Sequence, residues 1–330
     1  MMKKNSAVFL LFTLGMVGFQ ARAQWTESGN LKNVSWEYTF AGSGTVTNAD
    51  GGIEKISTSS KADFLPKPSS GEVRIIGTDE LGTGRASFTL NNIGSNSSLT
   101  MVHTSGKAFQ AAPAKFVAKD FAAKSKVMSA HFNITPNSSA ENVQAIWYIV
   151  AGAGANANIS GKNAPAISGY QNTDNGIYTL IRFRKSTAGG AYGLQARYNS
   201  GDEKKWGWKT IPGATLTNGV SAKIDLFFNN TDSPQSYTFN GAEKTLEAAS
   251  YHVYINGAQK GATLKELTRN ISTPGSSTLR YTGDLNGFGI MSREGAHSNK
   301  FESDGTTRAY DNSASLTISN LKIVHLATAK

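Results

Sequence analysis

The chain contains no cysteine in 330 residues. No disulfide can staple it, no thiolate can act as a nucleophile, and no cysteine-built zinc site can form. Charge is sparse, at 17% of residues, and acidic residues are the scarcer sign, 23 against 33 basic, for a net +10. Proline is scarce too, with 8 in the chain. No long segment repeats its apolar residues with a period of 3.6, so no convincing long helix is expected. Beyond Ala23 there is no apolar run long enough to cross a bilayer as a helix. A Gly-x-Ser-x-Gly elbow, a phosphate loop, a dinucleotide fingerprint and a His-Glu-x-x-His pair are all missing.

What is present begins with an export signal. Lys3 and Lys4 form a short positive region, Ala7 to Phe19 an apolar run, and Ala21-Arg22-Ala23 a small-x-small cleavage site. Residues 1–23 are therefore expected to be a signal peptide, with 24–330 as one catalytic domain in a secreted or periplasmic protein. Losing Lys3, Lys4 and Arg22 leaves 30 basic against 23 acidic residues, a net +7. A basic exported protein attracts anionic partners by long-range electrostatics. Nucleic acid is excluded as the partner by the absence of a basic run with interleaved aromatics or of a recognition helix. An anionic polysaccharide fits, and a membrane span in the mature chain is not expected. Monomer is the default oligomeric state.

The rest of the chain alternates apolar and polar residues in short stretches separated by Gly, Asn, Ser and Asp. That pattern predicts an all-β protein, a β-jelly roll sandwich of two antiparallel sheets of the lectin-like kind. Ala86, Phe88 and Leu90 alternate against Arg85, Ser87 and Thr89. Gln144 to Val150 is apolar on both faces and belongs in the middle of a sheet, with Trp147 in the core. Lys223 to Phe228 buries Ile224, Leu226 and Phe228. Tyr251 to Ile255 runs into Asn256-Gly257, the signature of a two-residue type I′ hairpin. The last strand, Ala314 to His325, slips its alternation near Asn320, which predicts a bulge, and it is expected to return beside the N-terminus.

Strict alternation over Ile177 to Lys185 puts Ile177, Ile181 and Phe183 on one face and Tyr178, Arg182 and Arg184 on the other. Gln195 and Arg197 repeat the arrangement on the next strand. Guanidinium forks match carboxylate and sulfate oxygens, so these residues are candidate groove residues, with a solvated basic face as the competing reading. Trp208, after the charged turn that ends in Lys205, can stack on a sugar ring beside a cation, or serve as core. The histidines lack metal spacing. His325 reads as structural, and His252 and His297 are candidates for a place near the groove. Asn48 to Glu54 offers oxygens for a structural calcium, with an Asp-Gly turn as the competing reading. The metal question is otherwise open.

The closely spaced Glu-x-Asp-x-x-Glu strand motif of jelly-roll glucanases is also missing, which argues against hydrolysis by such a carboxylate pair. β-Elimination suits an arginine-rich chain better. It needs a group that neutralises a uronate carboxylate, a base for the C5 proton and an acid for the C4 oxygen, and requires no cofactor.

The stretches Gln144-Ala-Ile-Trp-Tyr148, Ile159-Ser-Gly-Lys-Asn163 leading to Ser168-Gly-Tyr-Gln171, Tyr178-Thr-Leu-Ile-Arg-Phe-Arg184 and Leu279-Arg-Tyr-Thr-Gly283 together resemble the ulvan lyases of polysaccharide lyase family 28 across the whole mature domain. The resemblance implies a jelly roll that cleaves ulvan, a sulfated polymer of rhamnose 3-sulfate and uronic acid. It also implies a lysine base and a tyrosine acid, whose matching positions are Lys162 and Tyr281. Gln144 and Arg182 are the expected neutralisers, and Arg184, Arg197, Gln195, Tyr178, Lys205 and Trp208 the expected substrate contacts. A non-catalytic binding module on the same fold, and a hydrolase or a lyase acting on another uronate polymer, are the alternatives.

Overall fold

The computed structural model describes residues 23–47, 52–77, 85–93, 96–105, 114–138, 146–155, 176–185, 190–199, 206–261, 281–293 and 312–328. Among them every regular element is a β-strand and every pairing is antiparallel. The chain folds as a β-jelly roll sandwich of two large sheets with a small third sheet.

The eight-stranded sheet runs in the spatial order β13 (Trp206–Thr217), β12 (Ala191–Asn199), β11 (Ile177–Lys185), β10 (Ile146–Gly152), β19 (Gly287–Arg293), β8 (Ala114–Lys119), β5 (Glu72–Gly77) and β4 (Ile53–Thr58). The facing sheet runs β18 (Ala258–Lys260), β17 (Ser250–Ile255), β14 (Ala222–Asn229), β9 (Val127–Ser138), β20 (Asn312–Thr328), β7 (Asn96–Ser105), β6 (Arg85–Ile93) and β3 (Gly44–Thr47), with β2 (Leu31–Tyr38) paired to β20 as a ninth strand. The third sheet, β1 (Gln24–Trp25), β15 (Gln235–Phe239) and β16 (Ala242–Leu246), lies on the outer side of the nine-stranded sheet.

The alternation read from the sequence becomes the packing. Ala86, Phe88 and Leu90 are buried, as are Ile224, Leu226 and Phe228, and all six join one core filling the space between the two large sheets. Burying their apolar area is the main favourable term for the fold. β10 is buried on both faces and occupies the fourth of eight positions in its sheet. Trp147 lies in the core, as expected.

Two local signals are realised as read. Asn256 and Gly257 take φ of 50° and 79°. This is the type I′ geometry that lets Ile255 pair with Ala258. Asn320 takes φ of 54°. The β20–β9 register shifts between Ser319 and Lys322, so the predicted bulge is present. β20 also returns to the N-terminal side, pairing Leu321 to Thr328 with Tyr38 to Leu31.

One register shift overturns a face assignment. β10 and β11 slip between Ala151 and Gly152, so that Ala151 opposes Thr179 but Gly152 opposes Ile177. A Cβ on Gly152 would sit 2.1 Å from the Gly176 carbonyl oxygen, so only glycine permits this approach. The bulge reverses the parity at the start of β11. Tyr178 turns into the inter-sheet core with Ile181 and Phe183, and Ile177 turns outward with Leu180. Tyr178 is 1% exposed, and its hydroxyl bonds the carbonyls of Asn229 and Ser250 on the opposite sheet at 2.9 and 2.6 Å. It therefore does not share a face with Arg182 and Arg184, and the expectation that it contacts substrate is corrected.

Candidate functional site

The outer face of the eight-stranded sheet carries the expected arginines. Register fixes a row across it. Thr210 pairs with Gln195, Gln195 with Arg182, Arg182 with Tyr148, Tyr148 with Met291, and Met291 with Lys115. Because side chains in register point to the same face, these residues are neighbours about 4.8 Å apart from strand to strand. In the adjoining rows Arg197 pairs with Trp208, and Arg184 pairs with Ile146 and Gly193. No side chain stands opposite Arg184 at Gly193, where an added Cβ would meet open space.

The floor of this face is apolar. Val117, Tyr148, Val150, Ile177, Leu180 and Met291 form a buried cluster with Ile146 and Trp208 packed against it. Lys115, in the same row, is fully buried. Arg182, Arg184 and Arg197 stand at one end. The Arg182 guanidinium lies 4.1 Å from the Trp208 ring centroid and that of Arg197 lies 5.2 Å from the same ring. The Trp208 and Tyr148 rings are 5.8 Å apart. Arg182 donates its Nε–H to Gln195 Oε1 at 2.7 Å and also hydrogen-bonds the Tyr148 side chain. Burial pulls the Arg182 pKa down, the Tyr148 contact raises it, and the Arg184 charge lowers it. An arginine still holds its charge under such perturbation. No carboxylate among the described residues pairs with Arg182.

The far end of the same face has the opposite character. Arg74 pairs with Glu54 at 3.2 Å and with Glu72, and Lys119 Nζ sits 2.9 Å from Asp120 and 3.7 Å from Glu72. Glu54, a candidate calcium ligand by sequence, is thus engaged by a guanidinium. Residues 48–51 lie outside the described residues, and among those described no group of three or more acidic or histidine side chains is arranged to hold a metal.

Tyr281 stands at the end of the sandwich. Its ring packs against the main core and its hydroxyl donates to the Asp284 carbonyl at 2.5 Å. Burial, helped by the Asp284 charge, pushes its pKa up to about 12. It is therefore protonated at neutral pH and suited to giving a proton. The turn that carries it is bound to Gly152, through the Asn286 amide at 3.1 Å. Gly152 is four residues, roughly 13 Å of strand, along β10 from Tyr148, the partner of Arg182. Lys162, Gln144, Lys205 and His297 lie outside the described residues.

His252 is not near this groove. It lies on the outer side of the nine-stranded sheet, where its Nδ1 meets the Tyr237 hydroxyl at 2.6 Å, and burial pushes its pKa down to about 4. The same side holds a constellation that sequence reasoning did not find. His131 Nδ1 is 2.8 Å from Asp225 Oδ1, and its Nε2 is 2.9 Å from Ser129 Oγ. The order matches a nucleophile–base–acid relay. Ser129, however, is 1% exposed and lies within the ladder between β14 and β20. Strand amides engaged in pairing leave no preorganised donors for an oxyanion, so the network is structural. His325, as expected, is structural too, with its Nε2–H donated to the Leu285 carbonyl at 2.8 Å.

No protein-family profile matches the chain, and no curated protein matches it. Solved structures do. An endo-β-1,4-glucuronan lyase from the fungus Trichoderma reesei is 12% identical, covering 76% of this chain and 90% of its own, with a TM-score of 0.39. The catalytic domain of an endo-1,3-β-glucanase (laminarinase) from Thermotoga petrophila is 11% identical, covering 89% and 98%, with a TM-score of 0.39. An alginate lyase from a Chlorella virus is 11% identical, covering 72% and 88%, with a TM-score of 0.34.

Proposed function

We propose that the chain is an exported polysaccharide lyase that binds an anionic sulfated polysaccharide, ulvan, along the outer face of its eight-stranded sheet and cleaves it beside a uronic acid. The observation that carries this reading is Arg182. Its guanidinium is buried in part, stacked on Trp208, flanked by Arg184 and Arg197, and paired with no carboxylate among the described residues. A cation held over an apolar floor without a carboxylate partner is suited to a carboxylate or sulfate brought by a ligand.

In the mechanism, a group beside the scissile bond neutralises the uronate carboxylate, which stabilises the charge that develops when the C5 proton leaves, while Arg182, roughly 13 Å of strand from the turn that carries Tyr281, holds a carboxylate or sulfate of a neighbouring sugar. Lys162 in its neutral form takes that proton. The C4–oxygen bond breaks, a C4=C5 double bond forms, and Tyr281 protonates the departing oxygen. The raised pKa of Tyr281 supports the donor role and opposes a role as base. The roles of Lys162 and Tyr281 rest on the resemblance to the ulvan lyases.

A second reading, a carbohydrate-binding module without catalysis, is favoured by one observation. The binding groups cluster around Trp208, whereas the Tyr281 hydroxyl is engaged with the Asp284 carbonyl. Ultraviolet absorbance of the mature protein mixed with ulvan separates the two. A rise reports the conjugated double bond of an unsaturated uronate. A flat trace with retained affinity supports the binder, and a flat trace with falling viscosity supports a hydrolase.

A further inference from the structure

We propose that Gln195 is a positioning residue whose side-chain amide, together with Trp208 and Tyr148, sets the orientation of the Arg182 guanidinium, and that it is not itself a contact for the polysaccharide. The inference rests on the reading of this face as the anion-binding groove and names how its central cation is held.

Both ends of the Gln195 amide are engaged by neighbours on the sheet face, the oxygen end more closely. Its Oε1 accepts the Arg182 Nε–H at 2.7 Å and its Nε2 approaches Thr210 Oγ1 at 3.4 Å. The first contact requires an acceptor facing a guanidinium donor, so the amide orientation follows from chemistry. Arg182 is then held on three sides: by Gln195 at Nε, by the Trp208 ring at 4.1 Å, and by the Tyr148 side chain. A guanidinium carries five N–H groups in a fixed fork. Spending Nε on Gln195 removes the side-on mode of carboxylate binding, and with one Nη–H given to Tyr148 the remaining Nη–H groups are those left to meet the ligand. The register makes this arrangement rigid, because Tyr148, Arg182, Gln195 and Thr210 are direct cross-strand neighbours on four consecutive strands. Trp208 likewise serves first as a platform for two guanidinium groups rather than for a sugar ring.

Two measurements test this. The first needs no polysaccharide. In the wild-type protein the Arg182 Nε–H resonance in a ¹⁵N-resolved NMR spectrum should be shifted and protected from solvent exchange. In Gln195→Met, which keeps the length but removes the acceptor, it should exchange like that of an exposed arginine. An unchanged signal overturns the positioning role. The second is a double-mutant cycle with ulvan, read as kcat/KM and as Kd. Gln195→Met should lower kcat/KM by about 10-fold through a misplaced cation, and Arg182→Ala by about 100-fold. The double variant should match Arg182→Ala alone. A loss that multiplies, near about 1000-fold, would mean that Gln195 touches substrate independently and would overturn the proposal. Gln195→Glu gives a second variant, expected to fall below Gln195→Met because its carboxylate competes with the substrate for Arg182. A wild-type protein that neither cleaves nor binds ulvan removes the groove reading, and the NMR result still decides whether Gln195 holds Arg182.

Discussion

The two outer faces of the sandwich use the same geometry for opposite ends. Each presents a cross-strand row of polar side chains over apolar neighbours. On the eight-stranded sheet the row includes Thr210, Gln195, Arg182 and Tyr148, and Arg182 has no carboxylate partner among the described residues. On the nine-stranded sheet the row runs Lys322, His131, Asp225, Tyr254, and its charges are answered from within. His131 and Lys223 both approach Asp225, and Lys322 reaches Glu37. The three-stranded sheet packs beside that row, with Phe227 stacked on Tyr237 at 3.9 Å. A polar row that balances its own charge serves the fold, whereas one whose arginine has no carboxylate partner among the described residues is the row to which the proposed function assigns a ligand.

Substitutions break this comparison at different strengths. Lys162→Met and Tyr281→Phe should each cut turnover by about 10³-fold or more while leaving the melting temperature within a few degrees, measured by unsaturated product and by thermal unfolding. Full activity in either variant removes that residue from the mechanism. Arg182→Ala should weaken ulvan binding and cleavage by about 100-fold, and His131→Ala should leave both within about two-fold while lowering stability. Equal effects on activity would erase the distinction between the faces.

Acid addresses the interior between them. His103 is fully buried edge-on to Trp147, and neither ring nitrogen has a hydrogen-bond partner among the described residues. Burial pushes its pKa down to about 4. The fold holds it neutral, whereas the unfolded chain takes up a proton below about 6.5. Stability is therefore unaffected above that pH and falls as pH drops from about 6.5 to 4, by about 3 kcal/mol for this residue. His252 and His325 are shifted in the same direction. Melting curves across pH should show the slope, and His103→Leu should flatten it. The smallest effect is expected at Asp225→Ala, which should cost about 1–3 kcal/mol by leaving His131 without its acceptor. Its Kd for ulvan should equal that of wild type, and a change in affinity would tie the far face to the groove.

Much of this was legible because it is local. Period-two alternation marks Phe88 and Leu226 as core, and Asn256-Gly257 announces its own turn. Asn320 betrays a bulge because the alternation around it slips. Tyr178 defeats the pattern because the Gly152 bulge leaves no mark on the β11 alternation, yet one extra residue reverses the faces across it. The stacking of Arg182 on Trp208 spans two strands, and the His131–Asp225 bond joins residues 94 positions apart. Such contacts are made by sheet order, which alternation does not encode.

The place of β20 sets the timing of folding. Residues 312–328 form one of the innermost strands of the nine-stranded sheet, flanked by β2, β7 and β9, with Thr317 bonded to Thr100 across 217 positions of chain. The sheet cannot close until this segment has been synthesised, and pairings of such long reach form slowly. A nascent chain that lacks this strand has β7 and β9 without the partner that joins them.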